Sequence, residues 1–193
     1  MTIHLLRHGR TEANDRRIYC GATDISLSEG GLNALKELRE SLSYPDITEL
    51  RAYTSGLLRT QETLHAIYGD VEFVALPGLN EMNFGRFEMH GYDELKNDAE
   101  YISWITDETG DFVCPGGESS NIFKQRIFEI FSSIASSGDN AMIVCHGGVI
   151  AQLMAGMFPD AGRNFYEWQP SAGRGYSIHF ENGIPTKFEE IPC

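Results

Sequence analysis

Residues 5–14, LLRHGRTEAN, decide the fold of this chain and point to its chemistry. The stretch continues a short apolar run that starts at Ile3, and such a run predicts a buried strand. The strand ends in Arg7 and His8, and Gly9 then turns the chain. Arginine suits phosphate because its planar guanidinium stays charged and donates hydrogen bonds in pairs. Histidine can be a nucleophile when it is held neutral and oriented, so the pair predicts a phosphate site that contains a nucleophile.

Two distant segments have the same organisation. Residues 141–148 read AMIVCHGG, an apolar run that ends in His146 and two glycines. Residues 53–60, YTSGLLRT, place Arg59 in the first turns of a predicted helix. In an open parallel sheet such transitions converge at the carboxyl ends of the strands, where ligands bind. We therefore expect the three transitions to share one site, which includes His8.

Further motifs follow in a fixed order along the chain. They are DISLSEGG at 24–31, LNEM at 79–82 with Gly85 and FE at 87–88, and PGGES at 115–119. In this order, and with the three transitions above, the motifs resemble the histidine phosphatase superfamily over nearly the whole chain. That group also contains cofactor-dependent phosphoglycerate mutase. One residue departs from the pattern, because Arg10 lies where relatives usually carry Glu or Gln.

The resemblance implies a catalytic role for five residues. His8 is the expected nucleophile, which takes the phosphoryl group as a phosphohistidine. Arg7, Arg59 and His146 are expected around the phosphoryl oxygens, where transition-state charge is spread. Glu81 matches the acid/base position, although residue chemistry alone favours an ordinary surface glutamate there.

Five further residues are expected to bind substrate. Asn14 would add a neutral donor, and backbone N–H groups at a helix start after Gly147 would add another. Arg10 would add positive charge near the site. Cys20, at a position where the resemblance places a small polar side chain, and Gly21 would lie near the substrate, and a redox role for Cys20 stays open. No spacing typical of metal ligands is present, so neither a metal nor a cofactor is predicted.

Bulk properties limit the class of protein. The 193 residues suit one domain, predicted to span 1–193, and the formal net charge of -13 argues against nucleic acid or an anionic membrane as a partner. No apolar run approaches the ~20 residues that cross a bilayer, and the N-terminus lacks a basic-then-apolar signal pattern. We expect a cytoplasmic protein whose partner is a small phosphorylated metabolite. Its oligomeric state stays open.

Alternating strand and helix patterns predict the fold class. We expect an α/β fold with a doubly wound, mostly parallel sheet flanked by helices, similar to phosphoglycerate mutase. The irregular segment 77–118 is predicted to form a short helical insertion, called the lid below. Other expected elements are a strand over 71–76, a helix over 149–157 and a strand over 176–180 near a sheet edge. A helix from Ser119 or Ser120 to Ile134 is expected to bury Ile122, Phe123, Ile127, Ile130 and Ile134.

Three functions are compatible with these residues. Only 36 residues separate Glu81 from Glu118. A mutase must retain its bisphosphate and generally carries a longer insertion, so the short lid favours a metal-independent phosphomonoester hydrolase. The alternatives are a cofactor-dependent phosphoglycerate mutase and a non-catalytic module that binds phosphorylated ligands. The last would be expected to lack the nucleophile, the second histidine or the acid.

The substrate is suggested by two loops and by aromatic residues of the lid. The Cys20–Asp24 loop and the Pro115–Ser119 turn resemble bacterial α-ribazole-phosphate phosphatases, although sugar-phosphate and broad-range relatives share these motifs. α-Ribazole phosphate is therefore one expected substrate. Aromatic side chains of the lid would either stack on a base-like ligand or form the lid's own small core. They are Phe84, Tyr92, Tyr101 and Trp104.

Overall fold

A single sheet organises the protein, in a computed structural model that describes residues 1–192. Its strands are β1 (Thr2–Arg7), β2 (Arg51–Thr54), β3 (Val74–Ala75), β4 (Ala141–Cys145), β5 (Gly175–Glu181) and β6 (Ile184–Ile191). In space they follow the order β3-β2-β4-β1-β5-β6. The first four of these run parallel, whereas β5 is antiparallel to β1 and β6 is antiparallel to β5. The predicted mostly parallel sheet is confirmed.

The central strand β4 shows that both faces of the sheet are covered. All five of its residues are buried. Ala141, Ile143 and Cys145 belong to one hydrophobic core, whereas Met142 and Val144 belong to another. Successive side chains of a strand point to opposite faces, so each core lies on its own face of the sheet.

Helices on the two faces complete these cores. The described residues form α1 (Glu12–Arg16), α2 (Glu29–Ser41), α3 (Leu58–Tyr68), α4 (Tyr92–Leu95), α5 (Ala99–Ile105), α6 (Ser120–Ala135) and α7 (Gly147–Met157). α2 and α3 supply Leu35 and Leu64 to the core of Val144. α6 and α7 supply Phe123 and Leu153 to the core of Ile143. This arrangement confirms the doubly wound α/β fold, and no helix within residues 1–192 is both long and apolar enough to cross a membrane.

The lid contains the short helices α4 and α5 and two 3₁₀ turns, Pro77–Leu79 and Gly85–Phe87. Its aromatic side chains pack on one another. The ring of Tyr101 lies edge-on to that of Phe87, with the centroids 5.5 Å apart, and both side chains are buried. These packed side chains, called the lid core below, are continuous with the core of Ile143, so the lid does not have a separate core of its own. The helical content that was predicted for the lid is confirmed.

Several element boundaries differ from expectation. The five-residue helix α1 was not predicted, because it is too short for a periodic pattern and its capping box uses Asn14 in place of Glu or Gln. The predicted strand over 71–76 shrinks to the two exposed residues of β3 at the sheet edge. α7 begins at Gly147, two residues before the predicted start. The strand predicted over 176–180 near a sheet edge is confirmed as β5, which lies next to the edge strand β6.

The buried face of α6 also differs from expectation. Phe123, Ile127, Phe131 and Ile134 are buried, whereas Ile122 is 50% exposed. The buried positions recur at intervals of four, four and three residues, which keeps them on one stripe of the helix. The expectation that Ile122 is buried is therefore wrong, and Phe131 takes its place in the core.

This assignment predicts different results for the same substitution at two positions of α6. Ile127→Ala removes a fully buried side chain and should lower the free energy of unfolding by about 2–5 kcal/mol. Ile122→Ala is the matched control and should change it by about 0.5 kcal/mol or less. Urea unfolding followed by circular dichroism measures both values. Equal losses at the two positions would contradict the assigned face.

Candidate active site

The two predicted histidines meet at the carboxyl edge of the sheet. β1 and β4 are neighbours in parallel register, with Arg7 opposite Cys145. The residues that follow these positions, His8 and His146, therefore leave the sheet at the same level. Their ring centroids lie 5.1 Å apart with an interplanar angle of 64°. The adjacency that the sequence predicted for these two side chains is present.

His8 is held in one tautomer. Its Nδ1 lies 2.6 Å from the carbonyl oxygen of Gly9. A carbonyl oxygen only accepts, so Nδ1 carries the proton and Nε2 keeps its lone pair. Burial, followed by the positive charge of Arg59 and more weakly that of Arg7, lowers the pKa of His8 to about 3, although the bond to Gly9 acts in the opposite direction. His8 is thus a neutral imidazole with a free Nε2 at neutral pH.

His146 and Arg7 each present a buried polar atom without a protein partner. His146 Nε2 lies 2.9 Å from Ser55 Oγ, while its Nδ1 has no hydrogen bond within residues 1–192. Arg7 donates from one terminal nitrogen to Pro170 O at 2.8 Å, while its Nε is buried without a partner in the same range. Burial and the nearby positive charge of Arg59 lower the pKa of His146 strongly. Buried polar atoms without a partner are costly, so the meeting of Arg7 Nε and His146 Nδ1 at one edge is typical of a site for a polar ligand, and the Arg7 guanidinium favours an anion.

Arg59 lies in the first turn of α3 and is 1% exposed. One terminal nitrogen donates to Thr23 O at 2.8 Å and the other to Gly21 O at 2.6 Å. A guanidinium has five N–H donors, so three remain for a ligand. The hydroxyl of Thr63 ties this helix to the His8 turn, because it donates to Arg59 O at 2.6 Å and accepts from Gly9 N at 2.8 Å.

Glu81 reaches the site from the lid. Its carboxylate accepts from Gly148 N at 2.7 Å, in the first turn of α7, and from Met82 N at 3.0 Å. Burial raises the pKa of Glu81 above its ordinary value, against the effects of these two hydrogen bonds and of the charges of Arg7 and Arg59. From the sequence alone, it could not be determined whether burial or the nearby positive charges would dominate the pKa of Glu81. The raised pKa suits a carboxyl group that exchanges protons near neutrality.

Two glycines allow the side chains to approach the start of α7. A Cβ at Gly147 would lie 3.0 Å from Arg7 Cζ, and one at Gly148 would lie 2.4 Å from Glu81 Oε1. Larger residues would displace the guanidinium or the carboxylate. The N–H of Gly147 makes no hydrogen bond within residues 1–192 and lies at the positive end of the helix dipole. It is therefore available to an anion, whereas the N–H of Gly148, the next residue of this helix start, is occupied by Glu81.

Arg126 holds the segment that carries Glu81, a contact that the sequence did not predict. Its guanidinium donates to the carbonyl oxygens of Gly78 at 2.9 Å, Asn80 at 3.0 Å and Glu81 at 3.3 Å. It also forms two hydrogen bonds of 2.8 Å with the carboxylate of Glu118. The spacing of Glu118 and Arg126 on either side of a predicted helix start was the one available signal. It does not reveal the three carbonyl contacts.

Asn14 and Arg10, both predicted to bind substrate, make local contacts just after the His8 turn. Asn14 Oδ1 accepts from the N–H of Thr11 at 3.0 Å, which leaves the Nδ2 donors without a partner in residues 1–192. Arg10 is exposed and donates from Nε to Asp15 Oδ1 at 2.8 Å. The charge expected from Arg10 is therefore balanced on the surface by a neighbouring acid.

Cys20 and Gly21, which were predicted to lie near the substrate, make contacts with other protein groups. Both backbone polar groups of Gly21 are occupied, the N–H by Glu88 at 3.0 Å and the carbonyl by Arg59. Gly21 thus holds the site together and has no polar group left for substrate. Cys20 Sγ lies 3.6 Å from Thr23 O, and burial raises the pKa of this thiol. A thiolate is disfavoured, which argues against a redox role.

A cavity of about 640 Å³ opens beside Glu81. Its wall includes Glu81, Gly148 and the amides of Gln152 and Gln169. Its aromatic lining consists of Tyr19, Phe84, Trp104, Phe123, Phe165 and Tyr166. No Lys or Arg is among the described residues that line it. The cavity thus offers aromatic surface and neutral polar groups next to the carboxyl group.

Two of the lid aromatics pack within the lid and also line the cavity. Phe84 and Trp104 pack on each other, with centroids 5.6 Å apart, and also line the cavity. Tyr101 is buried in the lid core, whereas Tyr92 is 59% exposed and lies outside the cavity lining. Within residues 1–192, no group of three or more His, Cys, Asp or Glu side chains is arranged to hold a metal ion.

The fold and the site together define an α/β protein that binds an anion at the carboxyl edge of a parallel sheet, beside a neutral histidine. The sequence model of the histidine phosphatase superfamily (branch 1) matches residues 3–186. The chain belongs to this family, which confirms the resemblance found from the motifs.

Relatives and solved structures agree with this membership. The chain is 32% identical over 192 residues to a Salmonella typhimurium protein named adenosylcobalamin/alpha-ribazole phosphatase, which covers 96% of this chain and 94% of that protein. It is 28% identical to a 2,3-bisphosphoglycerate-dependent phosphoglycerate mutase of Parvibaculum lavamentivorans, over 78% of this chain and 76% of that protein. The crystal structure of the alpha-ribazole phosphatase from Shigella flexneri superposes with a TM-score of 0.82 at 26% identity, over 96% and 94% of the two chains.

The lowered pKa of His8 predicts a specific dependence of stability on pH. Unfolded histidine titrates near 6.5, whereas folded His8 titrates at about 3. Between these values the unfolded state binds one more proton, so His8 makes stability fall as pH falls, by about 1.4 kcal/mol per pH unit. Guanidinium unfolding of wild type and His8→Gln at pH 6.5 to 4.5 should therefore show a shallower dependence in the variant.

Thr63→Val is the control for this measurement. It removes the hydroxyl that accepts from Gly9 N but no titrating group. Its loss of stability should be the same at every pH. Parallel pH curves for wild type and His8→Gln would show that His8 is not held neutral in the folded protein.

Proposed function

We propose that this chain is a metal-independent phosphomonoester hydrolase that acts on a small phosphorylated metabolite through a phosphohistidine. One observation carries the proposal. The hydrogen bond from His8 Nδ1 to Gly9 O fixes the tautomer in which Nε2 can act as a nucleophile. In the same site, Arg7 Nε and His146 Nδ1 are buried without a protein partner in residues 1–192. Family membership supports the same reaction class. A cytoplasmic location belongs to the proposal.

In the first step, Nε2 of His8 attacks phosphorus and the bond from phosphorus to the ester oxygen breaks. Arg7, Arg59 and His146 donate to the phosphoryl oxygens and stabilise the charge that is spread over them in the transition state. The carboxyl group of Glu81 gives its proton to the leaving oxygen, so that a neutral alcohol departs. The product of this step is phosphohistidine beside a Glu81 carboxylate.

In the second step, water attacks the phosphorus of the phosphohistidine. Glu81 accepts a proton from this water and returns to its acid form, while the bond from phosphorus to Nε2 breaks. Inorganic phosphate leaves and His8 is again neutral. One group serves as acid and then as base, which requires the raised pKa that burial gives Glu81.

The cavity beside Glu81 supports α-ribazole phosphate as a substrate. The leaving group must extend from the carboxyl group that protonates it, and Tyr19, Trp104 and Tyr166 line the cavity there. Aromatic rings favour a flat, neutral, base-like group. The Salmonella typhimurium relative is named for alpha-ribazole, which agrees with this chemistry.

The same cavity argues against the mutase alternative. A phosphoglycerate carries a carboxylate in addition to its phosphate, and a second anionic group needs a cation or a set of donors. The described lining contains no Lys or Arg and includes the acidic Glu81. We therefore favour a phosphatase over a mutase as the function of this chain. A mutase would require a different arrangement of the lid residues.

The covalent step predicts opposite labelling in two variants. Glu81→Gln should lower kcat about 10²- to 10⁴-fold because the acid/base is lost. It should still form some phosphoenzyme from an activated ester with a good leaving group. His8→Asn should form none. A quench in alkaline SDS after reaction with ³²P-labelled p-nitrophenyl phosphate, in the presence of a chelator, measures the labelled protein, because the phosphorus–nitrogen bond of phosphohistidine is labile in acid.

Two controls make this labelling decisive. Asn at position 8 keeps a polar side chain in the site, so any remaining label would place the phosphoryl group elsewhere. Loss of wild-type activity with the chelator would overturn the metal-independent mechanism. The absence of turnover and label in wild type would favour the non-catalytic module.

The aromatic cavity predicts a selective effect on substrate binding. Tyr166 is 79% exposed and lines the cavity, so Tyr166→Ala should spare the fold. It should raise KM for α-ribazole phosphate about five- to tenfold, a factor equivalent to about 1–1.4 kcal/mol. KM for β-glycerophosphate, whose leaving group is too small to reach Tyr166, should stay unchanged. Tyr92→Ala, also in the lid but outside the lining, is the matched control.

Steady-state kinetics with a panel of phosphomonoesters tests this assignment. Equal changes in KM for α-ribazole phosphate and β-glycerophosphate would contradict the assignment of Tyr166 to the leaving-group site. Efficient conversion of 3-phosphoglycerate to its isomer, in the presence of bisphosphoglycerate, would restore the mutase alternative.

A further inference from the structure

Arg59 is a buried cation with no carboxylate in contact. Its side chain is 1% exposed, and none of the ion pairs within residues 1–192 includes it. Its protein partners are the carbonyl oxygens of Gly21 at 2.6 Å and Thr23 at 2.8 Å. A buried charge needs compensating groups. The loop that carries these carbonyls therefore determines where the guanidinium lies.

The other side of this loop faces Glu88. One carboxylate oxygen accepts from the N–H groups of Gly21 and Ala22, each at 3.0 Å. The other accepts from Gly21 N at 3.0 Å, from Thr23 N at 3.3 Å and from the Thr23 hydroxyl at 2.7 Å. No cation within residues 1–192 forms an ion pair with Glu88. Outside the loop, the N–H of Phe84 in the lid also donates to Glu88, at 3.0 Å. Most of the hydrogen bonds to Glu88 nevertheless come from the loop.

A single peptide group links the two charges. The carbonyl of Gly21 and the N–H of Ala22 belong to one planar unit, and in a trans peptide they point in opposite directions. The carbonyl accepts from Arg59, while the N–H donates to Glu88. The dipole of this unit is thus aligned with both charges, and each hydrogen bond polarises the group and strengthens the other.

The loop can lie this close to both charges because residue 21 is glycine. A Cβ there would lie 1.7 Å from Met82 O and 2.9 Å from Glu88 Oε1. Met82 O is a backbone atom and cannot move aside without shifting the lid segment beside Glu81. The Gly21–Ala22 peptide group is therefore confined between Arg59, Glu88 and the lid.

We infer that Glu88 is a positioning residue for Arg59, which it orients through the Gly21–Ala22 peptide group. A direct ion pair would also stabilise Arg59, but it would occupy its N–H donors and cancel its charge. The indirect link leaves three donors and the positive charge for the phosphoryl group. The inference rests on the proposed function, because it presumes that Arg59 binds phosphate.

A double-mutant cycle between Glu88 and Arg59 tests this link. The probe is inorganic phosphate, measured as a competitive inhibitor of p-nitrophenyl phosphate hydrolysis. Glu88→Gln keeps the shape of the side chain, but its NH₂ cannot accept from the loop N–H groups. In the wild-type background it should raise Ki for phosphate about tenfold. In an Arg59→Met background the same substitution should change Ki less than twofold.

Glu62→Gln is the matched control. Glu62 also accepts a backbone N–H of this region, that of Leu27 at 2.7 Å, but it does not contact the peptide group that holds Arg59. It should leave Ki unchanged. Thermal unfolding by circular dichroism reports whether each variant is folded.

The outcomes separate this inference from the proposed function. An equal rise in Ki in both backgrounds, or no rise in either, would overturn the role of Glu88. Unchanged Ki in Arg59→Met alone would instead contradict the proposed role of Arg59. If Glu88→Gln does not fold, Thr23→Val takes its place, because it removes only the hydroxyl donor to Glu88. A two- to threefold rise in Ki that requires Arg59 supports the link, and no rise overturns it.

Discussion

Two arginines, Arg59 fully buried and Arg7 half-buried, impose the electrostatic constraint on which the site depends, and neither forms an ion pair within residues 1–192. Burial of His8 and His146, together with the positive charges of Arg59 and Arg7, lowers the pKa values of both rings, so both are neutral. A protonated His8 would have no lone pair for attack. In the proposed mechanism, burial and the charges that would bind the phosphoryl oxygens thus act together to keep the nucleophile in its reactive form. Both effects require that the guanidinium groups of Arg7 and Arg59 stay charged. Their protein partners are carbonyl oxygens, which accept their hydrogen bonds without cancelling the charge.

The carboxyl group of Glu81 lies in the same environment, but its pKa is raised whereas that of His8 is lowered. Burial favours the neutral form of each titrating group, so it lowers the pKa of a histidine and raises that of a glutamate. One buried pocket therefore yields an unprotonated base at His8 and a protonable acid at Glu81. Arg126 fixes the backbone of the segment carrying Glu81, and Gly148 lets its carboxylate reach the helix start. The lid thus contributes to the chemistry as well as to the cavity.

The sequence predicted what depends on local pattern. Apolar runs that end in His8 and His146 place both residues at the edge of a parallel sheet, because topology brings such ends together. Pattern could not predict contacts between distant positions. The tautomer of His8 depends on how the Gly9 turn closes, and the motifs contain Glu88 without indicating that it faces the loop some 65 residues earlier. The wrong prediction for Ile122 has a similar origin. Hydrophobicity alone does not specify which of the apolar residues of α6 face the sheet.

Arg10 illustrates how the site separates buried from surface charge. Its carbonyl accepts from Ser28 N at 2.9 Å, so the backbone at this position is fixed by α2 whichever side chain it carries. The side chain points to the surface and pairs with Asp15, and an exposed pair contributes only about 0–1 kcal/mol. The position of Arg10 in the chain is therefore fixed by backbone contacts, and the charge of its side chain is balanced outside the buried site.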